Sequence, residues 1–394
     1  SLAGLSAAET LRKDGYDGQL VVVGQEHVRP YDRPPLSKQI LRGEWEPHHL
    51  FLRDDAHLDK LDVDWKLGQR AAGLDLDARA VILDNGETVP FDGLVVATGA
   101  TPRRLPGSAD LEGVHVLRTL DDALAIRVQL EGRPRVCVVG GGFIGAEVAA
   151  ACRARGLDVT VVEALAAPLA HVLPTELASA CSALHLDHGV DLRCGTTVAG
   201  FEGNRRVEAV RLDGGETVPA DVVVVGIGVI PETAWLASSG LAIDNGVLCD
   251  ATLATTAPGV VAAGDVARWP NVLFGEMMRI EHWTNAIDQG AAAARRLLLG
   301  EDKAQPFAPV PYVWSDQYDT KIQMLGRIKA GDDVRVVNGS YAEGQFVALT
   351  GRAGRLVGAL GFNEPRKLMV WRQAIKARAT WDEALAQAAT QEPH

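Results

Sequence analysis

One segment in the middle of the chain shows apolar and polar stretches in the order strand, turn, helix, strand. An apolar run at 135–139 leads into a glycine-rich turn at 140–145, and a helical pattern at 146–155 is followed by a second strand at 158–163. Strands buried in a parallel sheet read as continuous apolar runs, whereas a crossover helix keeps a polar face. The pattern therefore predicts a strand–helix–strand unit of a parallel sheet.

A second copy of this pattern stands at the start of the chain but begins inside its turn. Residues 1–4 lead into a helix at 5–12 and a strand at 19–23. A parallel sheet of this type has its opening strand at the centre. We therefore expect roughly ten residues, which form the N-terminal strand of this domain, to precede Ser1.

Two further apolar strands end in glycine turns, and the pattern changes near residue 309. The strands at 93–97 and 221–225 mark crossings between domains, and the last segment combines short strands with a helix at 365–378. We predict an α/β fold with two Rossmann-like dinucleotide-binding domains and a C-terminal α+β domain. The predicted domains are 1–106 with 235–308, 107–234, and 309–394.

The composition excludes several classes of protein. The 394 residues are 47% hydrophobic and carry a net charge of -12, so we expect neither a disordered chain nor a nucleic-acid-binding protein. The longest apolar stretch, 222–230, contains two glycines and falls far short of the about 20 residues of a membrane span. Residues 1–11 show no signal-peptide pattern, and we expect a cytoplasmic protein without membrane attachment.

The five cysteines are widely spaced along the chain, at positions 137, 152, 181, 194 and 249. A zinc site, an iron-sulfur cluster or a redox-active disulfide usually needs a close pair of cysteines. We therefore predict no metal site and no catalytic cysteine, and we expect these side chains to be buried as small apolar groups.

The turn at 140–145 has the spacing Gly140-x-Gly142-x-x-Gly145 between a strand and a helix. Glycines there permit a tight turn, close approach of the backbone to a pyrophosphate, and close packing of the helix. The N-terminus of the helix favours the negative charge of the phosphates. We predict that this turn binds a dinucleotide, with Phe143 and Ile144 beside it.

Glu163 stands at the end of the second strand, where a carboxylate can accept hydrogen bonds from the adenosine ribose. Residues 164–170 contain no arginine or lysine that could bind a 2'-phosphate. The preferred cofactor is therefore NADH rather than NADPH. A solvated glutamate at a strand end is the alternative interpretation.

Several short motifs, taken together, resemble one family over essentially the whole chain. They are Pro30-Tyr-Asp-Arg-Pro-Pro-Leu-Ser-Lys38, Ala97-Thr-Gly99, Gly264-Asp265, Glu281-His-Trp-Thr-Asn285 and Trp314-Ser-Asp-Gln-Tyr-Asp319. Their order and spacing resemble the NADH-dependent ferredoxin reductases of bacterial oxygenase systems, which have the fold of glutathione reductase.

The resemblance implies an FAD site with a defined set of residues. These are Ala3, Gly4, Gln25, Glu26, Arg33, Lys38, Ala71, Ala97, Thr98, Gly99, Arg118, Gly264, Asp265 and Trp283. It places Asp265 at the ribityl chain and Trp283 beside the isoalloxazine. Asp265 could also be the N-cap of the segment that follows it, with both roles together, and Trp283 could simply belong to the core. Ser1 replaces the middle glycine of this first fingerprint, and either Gln25 or Glu26 meets the ribose.

The resemblance also places Lys38 and Glu147 near the flavin and nicotinamide rings, with Gly228 as a further NADH residue. Fixed charges there can tune the flavin and orient the nicotinamide. The alternative is a loop lysine and a glutamate that the N-terminus of its helix stabilises.

The function that the resemblance implies is transfer of electrons from NADH through FAD to an acidic 2Fe-2S ferredoxin that serves an oxygenase. The protein would be a monomer or a weak homodimer. The alternatives are a reductase for rubredoxin, a quinone or oxygen, and a non-catalytic interaction protein that responds to NADH.

A basic segment near the C-terminus is the predicted docking face for the ferredoxin. Residues 361–380 hold five cations and one acidic residue, a local charge of +4 (five minus one), and Leu368, Trp371 and Ile375 recur at helical spacing. The apolar residues are expected to pack inward while the cations face outward. A solvated helix face without a partner is the alternative.

Overall fold

The central segment forms its strand–helix–strand unit inside a five-stranded parallel sheet. In the computed structural model, which describes residues 1–108 and 111–391, the strands lie in the order Asp191–Cys194, Val159–Glu163, Val136–Val139, Val222–Val225 and Val114–Val116. Every residue of Val136–Val139 and Val222–Val225 is buried. Valine suits these central strands because it packs well on both covered faces of a parallel sheet.

The described chain divides into two compact units. The first contains Ser1–Asp32, Leu50–Thr101 and Ile230–Pro309, and the second contains Arg33–His49, Pro102–Val229 and the segment from Val310. The segment 33–49, which the sequence analysis places in the first dinucleotide domain, therefore belongs to the unit that carries the five-stranded parallel sheet. The predicted three-domain division stays a prediction.

The first unit is built on helices that pack over short sheets. Its helices are Leu2–Lys13, Asp55–Lys60 and Trp283–Leu299. Its strands are Leu20–Gly24, Val63–Leu67, Ala71–Asp75, Ala80–Leu83, Thr88–Pro90, Leu94–Val96, Val247–Leu248, Val260–Ala262, Ala267–Asn271 and Glu276–Met278. Two short strands, Ala100–Pro102 and Val229–Pro231, carry the chain from one unit to the other.

Each unit repeats the same small motif beside its parallel strands. Three antiparallel strands at 71–90 form a meander in the first unit, and three at 198–219 form one in the second. The first unit also has two parallel strand pairs, Leu20–Gly24 with Val63–Leu67 and Leu94–Val96 with Val260–Ala262. The repeated meander is a further similarity between the two units, beyond the strand–helix–strand repeat inferred from the sequence.

The second unit adds an antiparallel sheet to the five-stranded parallel sheet. Its strands lie in the order Tyr312–Gln317, Thr320–Gly326, Arg355–Phe362, Gln345–Arg352 and Asp333–Ser340. The remaining strands are Val198–Glu202, Ala209–Leu212 and Thr217–Pro219, and the helices are Gln39–Arg42, Leu120–Leu130, Phe143–Ala154, Thr175–Asp187, Pro365–Met369, Trp371–Lys376 and Trp381–Gln391. Among residues 1–108 and 111–391, no helix is long and apolar enough to cross a membrane.

The predicted single helix at 365–378 is wrong in one respect, because the structure forms two short helices with a break at Val370. Leu368, Trp371 and Ile375 are nevertheless buried, as predicted, while the five cations of this segment are exposed. Spacing by three and four residues places side chains on one face within each turn of a helix. The buried face was therefore predicted correctly, although the spacing did not indicate the break at Val370.

Candidate functional site

The glycine turn at 140–145 adopts a conformation that needs its glycines. Gly140 has a φ of 102°, and a Cβ at Gly145 would collide with the carbonyl oxygen of Gly140. The helix Phe143–Ala154 begins at the N-cap Gly142, which has no side chain to accept bonds from the first amides. Those amides and the positive end of the helix can therefore receive an anionic phosphate.

Glu163 lies at the end of the neighbouring strand and bonds to this turn directly. One carboxylate oxygen accepts the Gly141 N–H at 2.6 Å, and the other accepts the Leu165 N–H at 2.8 Å. The residue is only 9% exposed, so the alternative of a solvated glutamate is wrong. An ionised carboxylate has about four acceptor positions, which leaves room for ribose hydroxyls.

The other predicted NADH residues lie near the same turn or follow the neighbouring strand. Phe143 and Ile144 start the helix, where Ile144 is 45% exposed. Gly228 has a φ of 91° in the turn after the strand Val222–Val225. Nucleotide contacts for these residues stay a prediction.

Lys38 and Glu147 form an ion pair inside the second unit. The Lys38 ammonium lies 2.7 Å from a carboxylate oxygen of Glu147, and their side chains are 8% and 4% exposed. Lys38 also donates to the Pro34 carbonyl oxygen at 3.2 Å. Lys38 lies in a turn and Glu147 in the helix Phe143–Ala154, as the alternative interpretation has them, and the structure adds that the two form a buried pair. Their place near the flavin and nicotinamide rings stays a prediction.

Two serine hydroxyls complete the surroundings of Glu147. Ser37 donates to one carboxylate oxygen at 2.5 Å, and Ser315 donates to the other at 2.7 Å. A small cavity of about 30 Å³ borders the pair and is lined by Lys38, Arg42, Glu147, Ala150, Ala151, Ala154, Asp316 and Tyr318. A cavity of that size and polarity can hold a water molecule.

In the first unit, the predicted residues Ala3 and Gly264 lie where two helices approach each other. A Cβ at Gly264 would lie 3.1 Å from the Cβ of Ala3, and one at Gly290 would collide with the Ala3 carbonyl oxygen. Asp265 lies inside the short turn Gly264–Val266, whose N-cap is Ala263, so a capping role for Asp265 is wrong. Gly4 follows Ala3 in the helix Leu2–Lys13.

Buried polar atoms beside this turn fit a polar cofactor. Gln289 is fully buried and accepts the Gly264 N–H at 2.8 Å, yet its Nε2 has no hydrogen-bond partner within residues 1–108 and 111–391. Asn285 is 4% exposed, and its Oδ1 likewise has no hydrogen-bond partner within the same described residues. Burial of an unpaired amide group is costly, so the pair suits a site for a polar ligand such as a dinucleotide.

Neither Asn285 nor Gln289 is among the site residues expected from the sequence. Asn285 ends one of the quoted motifs, and Gln289 follows it by four positions on the same face of the helix Trp283–Leu299. This four-residue spacing is the sequence feature by which both residues could have been predicted as part of the site.

Two aromatic residues of the first unit donate hydrogen bonds to acidic residues of the same unit. The Trp283 indole Nε1 donates to Asp32 at 2.6 Å, and the Tyr31 hydroxyl donates to Glu26 at 2.5 Å. Trp283 is half-buried, whereas Gln25 is exposed. The Asp32 bond holds the indole in one orientation, and the place of Trp283 beside the isoalloxazine stays a prediction.

The remaining predicted FAD residues divide between the units. Ala71 opens the strand Ala71–Asp75 in the first unit, and Ala97, Thr98 and Gly99 lie there too, with the Thr98 hydroxyl donating to the Glu232 carbonyl oxygen at 2.8 Å. Arg33 and Arg118 belong to the second unit, as Lys38 does. The Arg33 guanidinium donates to the Arg118 carbonyl oxygen at 2.6 Å.

The cysteines are thiols without a catalytic environment. All five are free in the described chain, and burial raises the pKa of Cys137, Cys152 and Cys181 to about 12. Cys194 is only half-buried, which departs from the expectation of full burial. A thiol with a raised pKa is protonated at neutral pH and is a poor nucleophile.

A parallel sheet that presents a glycine turn and a buried glutamate at its strand ends is typical of a dinucleotide-binding domain. Residues 1–290 match the family described as pyridine nucleotide-disulphide oxidoreductase, and residues 312–392 match the reductase C-terminal family. The chain belongs to the pyridine nucleotide-disulphide oxidoreductase family.

Known relatives narrow the group within that family. Rhodocoxin reductase of Rhodococcus erythropolis is 38% identical over 95% of this chain and 87% of its own length. The ferredoxin–NAD(+) reductase component of the anthranilate 1,2-dioxygenase system of Burkholderia cepacia is 41% identical over 95% and 92%. The solved covalent complex of putidaredoxin reductase and putidaredoxin matches with a TM-score of 0.91 and 33% identity, over 99% of this chain and 97% of that chain.

Proposed function

We propose that this protein is an FAD-dependent reductase that passes electrons from NADH to a 2Fe-2S ferredoxin, which in turn serves an oxygenase. The observation that carries the proposal is the glycine turn closed by Glu163, in a chain that is similar over most of its length to a rhodocoxin reductase and to the ferredoxin–NAD(+) reductase component of a dioxygenase system. The cysteines, all free and widely spaced, offer no disulfide for the reaction. This separates the protein from the disulfide reductases that share its fold.

Bound FAD would supply the chemistry that joins a two-electron donor to a one-electron acceptor. The protein's own residues then bind the two cofactors, orient the nicotinamide and tune the flavin. Asn285 and Gln289 offer buried polar atoms to the cofactor, and the helix that starts at Phe143 receives the phosphates of NADH. Lys38 and Glu147 keep a fixed pair of charges near the rings, which favours one orientation of the nicotinamide.

The proposal is tested with the purified protein, its flavin content and its electron acceptors. We expect bound FAD, rapid reduction of ferricyanide by NADH, and transfer to an acidic 2Fe-2S ferredoxin in a panel of candidates. A protein that binds FAD but forms a long-lived reduced complex with NADH, and that dimerises without turnover, would instead be an interaction protein. If electron transfer to rubredoxin or to a quinone is faster than to any ferredoxin, the physiological acceptor is not a ferredoxin.

Glu163 is expected to set the preference for NADH. Glu163→Ala should lower the ratio of kcat/KM for NADH over NADPH by about tenfold or more, because a hydrogen-bond acceptor for the ribose and a repulsive charge towards a 2'-phosphate are both lost. Steady-state kinetics with both nucleotides measures this ratio.

Because Glu163 also holds the Gly141 N–H, its variants need a control for damage to the turn. Glu163→Gln removes the charge and keeps one acceptor oxygen, which can serve the Gly141 N–H or the Leu165 N–H but not both, so the thermal stability of this variant is measured together with the ratio. Asp191→Asn removes an exposed carboxylate from the adjacent strand and should leave the ratio unchanged. An unaltered ratio in both Glu163 variants would remove this residue from nucleotide selection.

We propose the five exposed cations Arg366, Lys367, Arg372, Lys376 and Arg378, called the basic face below, as the docking face for the ferredoxin. Met369 and Val370 are 38% and 48% exposed at the break between the two short helices. An apolar centre with a charged rim is typical of a protein interface, and cations suit an acidic partner.

We also place the reaction in the cytoplasm. Five free thiols are typical of a reducing compartment, although they do not require one. Fractionation of cells that express the tagged full-length protein tests this, and recovery with the membrane or periplasmic fraction would contradict it.

A further inference from the structure

The carboxylate of Glu147 receives donors from two segments that are distant in the sequence. Ser37 and Lys38 come from the turn at 34–38, and Ser315 comes from the strand Tyr312–Gln317. Ser37 is 2% exposed, Lys38 is 7% exposed and Ser315 is fully buried. The three donors leave neither carboxylate oxygen without a partner.

The direction of the Ser315 bond is set by a fourth residue. Gln317 is fully buried, and its Nε2 donates to Ser315 Oγ at 3.1 Å. A hydroxyl has a single proton, so Ser315 accepts from Gln317 and gives its own proton to Glu147. Ser37 has a second acceptor, the Pro34 carbonyl oxygen at 3.3 Å, but the carboxylate at 2.5 Å is the closer one.

Two hydrogen bonds from hydroxyls to different oxygens of a carboxylate fix its rotation. Lys38 is bound to the oxygen that Ser37 contacts, so the position of the ammonium depends on that rotation. In a buried site, such interactions are stronger than in water.

We propose that Ser37 and Ser315 are positioning residues that hold Glu147 as an oriented anion, and through it hold the Lys38 ammonium in place for flavin reduction. The inference rests on the proposed function, since it takes the pair to act near the flavin. Gln317 supports Ser315 by keeping its proton directed at Glu147.

Alanine variants of the two serines test this role. Ser315→Ala and Ser37→Ala should each slow reduction of bound FAD by NADH by about tenfold, the size expected when one hydrogen bond to a charged group is lost. The dissociation constant of NADH should change by less than about twofold, because neither serine is proposed to touch the nucleotide. Stopped-flow absorbance at several NADH concentrations separates the two quantities.

A second readout is independent of turnover. The reduction equilibrium of bound FAD against a reference dye, measured without oxygen or NADH, should shift by about tenfold in each alanine variant. Ser315→Thr keeps the hydroxyl and should restore both the rate and the equilibrium. Thr350→Val removes another fully buried hydroxyl from the same antiparallel sheet and should change neither.

The possible outcomes distinguish the positioning role of the two serines from the proposed function of the protein. Lower thermal stability with wild-type rate and dye equilibrium in both alanine variants would make the serines merely structural and overturn the inference. If Ser315→Ala does not fold, Ser37→Ala in the other segment and Ser315→Thr still decide the question. Glu147→Gln and Lys38→Met report on the pair itself, and a wild-type protein without FAD would overturn the proposed function instead.

Discussion

Replacing Glu147 with alanine is expected to slow reduction of bound FAD by NADH about a hundredfold, with a much smaller loss of FAD. The pair lies in a buried site where fixed charges act strongly on a developing charge, and neither residue is proposed to hold the phosphates. Lys38→Ala should have a similar effect. Stopped-flow reduction gives the rate, and equilibrium dialysis gives FAD retention.

Both single variants are also expected to be less stable, by about 3–5 kcal/mol, because each leaves a buried charge without its partner. The double variant Lys38→Met/Glu147→Gln removes both charges and should recover much of the stability while flavin reduction stays slow. This result separates a role at the flavin from a role in folding.

Asp221→Asn breaks the exposed pair with Arg135, at 2.7 Å, and serves as the control that should leave reduction unchanged. Wild-type reduction rates in both single variants would leave Lys38 and Glu147 as a structural pair.

Reversing Arg372 and Lys376 to glutamate should lower kcat/KM for the ferredoxin by about tenfold or more at low salt, while NADH-to-ferricyanide activity is retained. Both side chains are exposed on the basic face, and charge steering acts mainly on the rate of association. Salt screens such steering, so the rate in the double variant should also depend less on ionic strength.

The charge change needs a matched control. Lys13→Glu/Lys303→Glu alters the net charge of the protein by the same amount at two exposed positions outside the basic face, and it should reduce the ferredoxin rate far less. If the Arg372/Lys376 reversal leaves ferredoxin kinetics untouched at low salt, the docking face lies elsewhere. Arg295, Arg296 and the segment 314–318 are then the next candidates.

The glycine turn at 140–145 could be predicted because its causes are local. The spacing of Gly140, Gly142 and Gly145 reflects steric limits within a single turn, and the run of valines at 136–139 reflects burial on both faces of a sheet. The predicted helix at 146–155 begins three residues earlier, at Phe143, because Gly142 already serves as its N-cap.

The C-terminal segment shows the limit of the same approach. Periodicity assigned Leu368, Trp371 and Ile375 to the inner face correctly, but it did not place the break at Val370. Helix ends depend on packing against the neighbouring sheet as well as on the residues of the helix. The exposure of Met369 and Val370 follows from that break.

The sequence by itself determined the class of the fold, the glycine turn at 140–145 and the presence of a basic segment, because each depends on residues close together in the chain. Only the tertiary structure decided what surrounds Glu147 and the Gly264 turn. Ser37 lies 110 positions from Glu147 and Ser315 lies 168 positions away, while Gln289 lies 25 positions from Gly264. Such contacts form when separate elements pack together, and no local pattern of polar and apolar residues encodes which side chains will then meet.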